Sequence, residues 1–300
     1  MKLINSLGII TILVLLMSIN FSCTSSDKGD FDENKTEELD TVLSTIIEVG
    51  DALFSIPSPF QASILIKESG ITYDAELLNT PTSVASYSTN FQKALNLGVY
   101  GADLGYATIY EQPQDAIKYF KAVEEIANDL GVATAFNKKT INSIKNNIGN
   151  RDSLLTIVSD AYRASDEYLK SNARTDISSL ILAGGWIEGL YLVVNSAKKN
   201  FNQKIINRIG EQKTPLENLI KILTPYYDQK EYTQLIDDLI LLAYEFDGVD
   251  IKYNYVKPTV DLKNKMTYIN STTEIIISKY QLEAISKQLN KIRNNIIGKK

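Results

Sequence analysis

The chain has 300 residues, with 31 lysines and arginines against 36 aspartates and glutamates, a formal charge of −5. That mildly acidic balance argues against nucleic acid or an anionic membrane surface as a partner. There are no histidines and one cysteine, Cys23, which excludes intramolecular disulfides, histidine-based triads and His/Cys zinc sites. An acid or base has to be a carboxylate, a lysine or a tyrosine, any metal would need oxygen ligands, and no cofactor is expected.

Residues 1–22 have the form of a signal peptide: Lys2, an apolar run from Leu3 to Ile19, and a short polar stretch before Cys23. Asn5, Ser6, Gly8 and Thr11 interrupt the run, which favours a cleaved segment over a retained membrane helix. The stretch I-N-F-S-C resembles the lipobox of bacterial lipoproteins, in which the cysteine is lipidated and becomes the first residue of the mature chain. Ser22 is suitably small, and Asn20 in place of the usual aliphatic residue fits the looser boxes of the Bacteroidota type. The resemblance implies lipidation at Cys23, a membrane partner through that anchor, and an outer-membrane location facing the periplasm or the surface. Two or three acyl chains on one residue would hold the protein stably.

Residues 23–38 then read as the lipidated cysteine and a flexible acidic tether, with few apolar residues. Acidic residues close behind the cysteine also resemble surface-export signals of Bacteroidota lipoproteins.

From residue 39 to residue 300 the sequence predicts one all-helical domain. The expected fold class is all-α, a single bundle of about ten mostly antiparallel helices. Leu39, Leu43, Ile46, Gly50 and Leu53 share a helical face, broken by I-P-S-P-F. Ser58, Pro59 and Gln61 open a second helix that ends at Gly70.

Thr89 to Tyr110 follows, with Ala94, Gly98, Gly101, Gly105 and Thr108 in one stripe at helical spacing. Each glycine costs about 1 kcal/mol against alanine in a helix interior, so the stripe predicts a second backbone packed very close. Pro113 opens the next helix, which stops before Gly131. A shorter helix is expected over Lys139 to Ile148, and Asn150 is expected to cap the element after it.

Asp176 to Lys199 carries a second small stripe, Ser178, Leu182, Gly185 and Gly189, the natural partner of the first. Glu188 and Asp103 within the two motifs favour a soluble bundle contact over a membrane pair. Thr214, Pro215 and Glu217 signal another helix start, and Tyr232 to Phe246 another helix. Val249, Ile251, Tyr253 and Tyr255 alternate with polar residues as in a strand; with no obvious partner strand, an extended loop across the bundle is expected. Ser271 and Glu274 are read as opening the last helix, whose basic end, including Arg293, complements the helix dipole.

The segments I-P-S-P-F, L-L-N and L-N-L-G-V-Y-G-A-D-L-G-Y, with A-G-G-W-I-E-G-L-Y, resemble uncharacterised envelope lipoproteins of the Bacteroidota type. The resemblance implies an exported, lipid-anchored helical protein and carries no activity with it.

Candidate ligand-binding residues lie opposite the small stripe: Asn96, Tyr100, Asp103, Tyr106 and Tyr110. Tyrosines with an amide and a carboxylate between them suit a sugar or peptide groove. The same residues suit a core boundary with hydroxyls turned to water. Asp103 and Glu188 hold similar places in the two glycine motifs and could form a carboxylate pair for glycoside hydrolysis. The expected function is non-enzymatic binding of an envelope protein or surface polymer, with a carboxylate-dependent glycan or peptidoglycan hydrolase as the alternative.

Overall fold

The computed structural model describes residues 59–132 and 167–299, the backbone of 45–49 and 52–56, and scattered positions between 142 and 164. Cys23, the signal segment, the tether and most of the expected helix over Lys139 to Ile148 lie outside the described residues. Asn150 does cap as expected, its side chain accepting from the Ser153 backbone N–H at 3.1 Å.

The architecture is all-α with small antiparallel hairpins. In chain order come α1 (Pro59–Glu68), α2 (Asn90–Ile109), α3 (Pro113–Asp129), α4 (Thr175–Lys199), α5 (Gln203–Gly210), α6 (Lys213–Leu223), α7 (Lys230–Asp247) and α8 (Lys279–Ile297). Hairpin β1 (Thr45–Val49) with β2 (Ala52–Ile56) precedes them, and β3 (Asp250–Asn254), β4 (Thr259–Asp261), β5 (Met266–Tyr268) and β6 (Thr272–Ile276) fall between α7 and α8. The described residues belong to one unit.

The local signals account for most boundaries. Thr89 and Gln92 form a reciprocal capping box at the start of α2, and Ser278 with Gln281 does the same for α8. Proline stands in the first turn of α3, where its missing N–H costs nothing. Gly70 and Gly131 follow α1 and α3 with φ of 74° and 70°, the left-handed turn that lets a chain leave a helix.

Helix α2 is buried from Ala94 to Ile109 and packs on α4 in the most extensive helix contact among the described residues. A Cβ at Gly98 would sit 2.1 Å from the Ile181 carbonyl oxygen and 2.5 Å from the Gly185 nitrogen; one at Gly184 would sit 1.9 Å from the Leu95 oxygen. The two backbones touch, which is the close approach the glycines predicted. The contact face of α4 is Ile181, Gly184 and Gly185 rather than the Ser178–Leu182 stripe, and Leu182 is only partly buried. Gly105 serves a different neighbour, the Phe60 ring of α1, 2.3 Å from an added Cβ. Gly101 and Gly189 are buried in the same two helices.

Helix α4 is long and apolar enough to cross a membrane, yet 89% of its apolar window is buried against the rest of the fold, as for the central helix of a bundle.

Three expectations are corrected. The helix expected from residue 39 to 53 is a strand pair where it is described, with Thr45 opposite Ile56 and Val49 opposite Ala52. Thr45, Ile46, Ile47 and Val49 are β-branched, and over so short an apolar run that preference outweighs a 3.6-residue spacing. The extended loop expected at Val249 to Tyr255 is strand β3, and its partner β6 is the segment expected to open the last helix, with Ile251 opposite Ile275 and Tyr253 opposite Thr273. The partner was hidden because even the nearest paired residues, Asn254 and Thr272, are 18 positions apart, and only the fold closes that loop. Helix α5 was not expected; Asn202 caps it through Lys204 N at 2.8 Å.

Candidate functional site

The face of α2 opposite its small stripe is interior. Asn96, Tyr100, Asp103 and Tyr106 are all 0% exposed, which corrects the expected groove or watery boundary. What covers them is the irregular segment 71–87, two short 3-10 turns (Ala75–Leu77 and Pro81–Ser86) and their connections.

Such a segment cannot satisfy its own backbone, and buried backbone groups must be paired. The tyrosine face supplies the partners. Tyr100 OH donates to the Thr80 carbonyl at 2.8 Å, Tyr110 OH to Ile71 at 2.7 Å, and Tyr119 OH of α3 to Asn79 at 3.0 Å. The Asn79 N–H donates to Asp103 Oδ2 at 3.0 Å, and the Asp74 N–H to the Tyr106 hydroxyl at 3.2 Å. Asn96 acts elsewhere, its Nδ2 donating to the Ile296 carbonyl at 2.9 Å and so fastening the end of α8 to α2.

Asp103 and Glu188 do come together, close enough for the charge of one to act on the other, with a third member that the sequence did not single out. Arg293 grips Glu188 through two bonds, Nε to Oε2 at 2.6 Å and Nη2 to Oε1 at 2.7 Å, and donates from Nη2 to the Leu77 carbonyl at 2.8 Å. The guanidinium lies 3.9 Å from the centre of the Tyr191 ring. Arg293 is therefore a buried ion-pair partner, 2% exposed, a role beyond the dipole balance expected of the basic helix end.

Burial pushes the Asp103 carboxyl well above the usual carboxylate range, and the neighbouring Glu188 pushes the same way; Arg293 and the Asn79 N–H only partly oppose them. Geometry agrees, since Asp103 Oδ1 is buried without an ordinary partner. A proton there removes a buried charge that nothing at Oδ1 solvates. Burial alone would lower Arg293, but the Glu188 charge and hydrogen bonds outweigh it and hold the guanidinium above its ordinary value. A protonated Asp103 beside one ion pair leaves the cluster neutral, the arrangement a buried site tolerates.

Both carboxyls are sealed from solvent at 0% exposure. Glycoside hydrolysis needs water and a sugar at the acids, and neither reaches them in this arrangement.

A cavity of about 360 Å³ opens beside the cluster, lined by Tyr73, Asp74, Leu77, Tyr106, Ser196 and Lys199 among others. Tyr73 and Tyr106 stack at 5.3 Å between ring centres with 25° between planes, and Tyr73 OH donates to Asp115 at 3.0 Å. Lys199 pairs with Asp74 at the rim. Ser196 also lines the cavity, but its hydroxyl is buried and without a partner. Of the expected ligand-binding residues only Tyr106 lines the cavity; Tyr73, Asp74, Ser196 and Lys199 were missed. Ser196 and Lys199 follow Glu188 along α4 at eight and eleven residues, a same-face spacing the sequence does contain.

Among the described residues no three His, Cys, Asp or Glu side chains gather as a metal site. The fold and site define an all-α bundle with a small cavity beside the buried cluster of Asp103, Glu188 and Arg293. No protein-family model, curated protein or solved structure matches the chain, so the functional reading rests on this geometry.

Proposed function

We propose that this is a lipid-anchored bacterial envelope protein, of the uncharacterised Bacteroidota type its motifs resemble, which binds a surface glycan without chemical turnover. The observation that carries the binding reading is the cavity beside Tyr73 and Tyr106. Its size falls near the lower end of the range of about 300–1,000 Å³ for small-molecule sites. The Asp74–Lys199 pair supplies hydrogen-bonding groups, and the partly exposed Tyr73 ring supplies flat apolar area, the combination a sugar ring needs. The sealed acids weigh against the hydrolase reading. The export signal and Cys23 support the anchor.

Two experiments test the proposal. Acyl labelling of wild type and Cys23→Ala in a bacterial host should mark only the wild type; equal label sinks the anchor. Binding of soluble peptidoglycan fragments and capsular polysaccharide should fall at least tenfold in Asp74→Asn and Lys199→Ala, with unchanged helical circular dichroism. Binding unaffected by both substitutions, or absent in wild type, removes the cavity as the site.

A further inference from the structure

Between α7 and α8 the chain leaves the bundle as a two-tier β-arm. Strands β3 and β6 form the root, and β4 and β5 the tip, where Thr259 faces Tyr268 and Asp261 faces Met266. Ser271 bridges the tiers, its hydroxyl donating to the Val256 carbonyl at 3.1 Å and accepting from the Val256 N–H at 3.0 Å. About twelve residues from root to turn can reach about 40 Å.

This arm is almost wholly uncovered. Ten of the sixteen large exposed hydrophobic side chains among the described residues lie between Ile251 and Ile276, led by Leu262 at 86% and Ile269 at 77%. Ile275 is the exception, buried against Gly210 and anchoring the root. A lone two-stranded hairpin is marginal in water, and contiguous exposed apolar surface of this kind marks an interaction site.

The tip has a charge as well as an apolar character. From Val256 to Asn270 there are three lysines, Lys257, Lys263 and Lys265, and one aspartate, Asp261, a net of +2 on a chain of −5.

A matching surface exists on the same protein. A groove of about 780 Å³ runs between the start of α2, the start of α7 and the end of α8. Its floor is apolar, with Phe91, Leu95, Leu235 and Ile292, and its rim carries Asp228, Glu231 and Asp237 against Lys230, with Asp238 buried beneath. Lys291 already pairs with Asp238 at 2.9 Å, so the rest of the rim is three acids and one lysine, a net of −2. An apolar tip of +2 and an apolar groove of −2 are complementary in both respects.

The two surfaces lie at opposite ends of the α7–α8 pair. The groove uses the first turns of α7, whereas the arm departs after its last turn, about 20 Å further along the helix. We propose that the arm tip of one copy docks in the groove of the next, so that the protein assembles head to tail. Because the two patches differ, the contact is heterologous and propagates as a chain or closes as a ring, rather than ending at a two-fold dimer. The overall negative charge disfavours an anionic bilayer as the arm's partner.

Disulfide trapping in the envelope of expressing cells tests this with the full chain. Leu262→Cys combined with Gln234→Cys should give a ladder of multiples on a non-reducing gel. Each single substitution alone should stay monomeric, and co-expression of the two singles should stop at the dimer. Adding Lys263→Glu and Lys265→Glu should reduce the ladder at least tenfold, and further adding Glu231→Lys and Asp237→Lys should restore it, which separates lost docking from misfolding. No crosslink in the double-cysteine chain overturns the proposal. So does dimer formation by Leu262→Cys alone, which means arm pairs with arm, or protection of that cysteine from a membrane-impermeant thiol reagent without any ladder, which means the arm enters lipid.

Discussion

Replacing Gly98 by alanine puts one methyl group between two helix backbones. The new Cβ would stand 2.1 Å from the Ile181 carbonyl oxygen and 2.5 Å from the Gly185 nitrogen, whereas ordinary contact begins at 3.4 Å. Reaching that contact requires α2 and α4 to separate by about 1.3 Å along this line, and a gap of only about 0.5–1 Å already forfeits a quarter to a half of each dispersion contact it opens. Overpacking a well-filled core costs about 1–3 kcal/mol, and backbone on both sides places this site at the upper end or beyond. Against it stands the intrinsic helix preference of alanine over glycine, about 1 kcal/mol. The expected net is a loss of about 2 kcal/mol or more, a fall in Tm of roughly 4–8 °C for a domain of this size. Urea unfolding followed by helical circular dichroism measures it, provided the slope with denaturant is unchanged. Gly105→Ala should cost less, because its methyl meets the Phe60 ring, which can turn. A Gly98→Ala midpoint equal to or above wild type would refute the close crossing, since that is what an open helical site gives.

Three further outcomes are expected. Asp103→Asn should stabilise the protein increasingly as pH rises above about 4: a buried acid whose folded pKa is raised keeps its proton while the unfolded chain loses one, so wild-type stability falls at up to about 1.4 kcal/mol per pH unit until Asp103 itself ionises. A stability difference between variant and wild type that stays constant from about pH 4 to 7 contradicts the protonated carboxyl. Arg293→Ala strands the Glu188 carboxylate in the interior and should cost about 3–5 kcal/mol in the same unfolding assay; a change below about 1 kcal/mol means water reaches the pair. Tyr100→Phe and Tyr119→Phe each leave a carbonyl of the 79–80 segment without its phenol donor, at about 1–3 kcal/mol. Hydrogen exchange should speed up over residues 71–87 ahead of the helices, and uniform acceleration across the chain would place the loss elsewhere.

Much of the helical layout was legible because its signals are local. Thr89 with Gln92, Pro113 and Gly131 act within one turn of where they stand, and the α2 glycines announced a close neighbour because nothing else offsets their cost. The neighbour's contact face was not legible: Ser178–Leu182–Gly185–Gly189 and Ile181–Gly184–Gly185 are both helical stripes containing glycine, and only the crossing selects between them. Strand β6 was misread for a related reason. Ser271 and Glu274 have the spacing of a helix start, but pairing with β3 overrode it, and the true start is the same kind of signal seven residues later at Ser278 and Gln281.

Sequence alone determined the absence of histidine, the single cysteine at residue 23, the all-α class and the placing of small residues on one side of α2. Those follow from composition and from periodicity along one helix. Tertiary structure decided the meaning of the opposite side. Asp103, Glu188 and Arg293 come from three helices, the last 105 residues beyond its ion-pair partner, and a tyrosine beside a carboxylate reads the same along a chain whether it faces a ligand, water or a neighbouring backbone. Here the covering segment 71–87 supplied the partners, because its unpaired carbonyls and N–H groups could be buried only where hydroxyls, a guanidinium and a carboxyl were waiting for them.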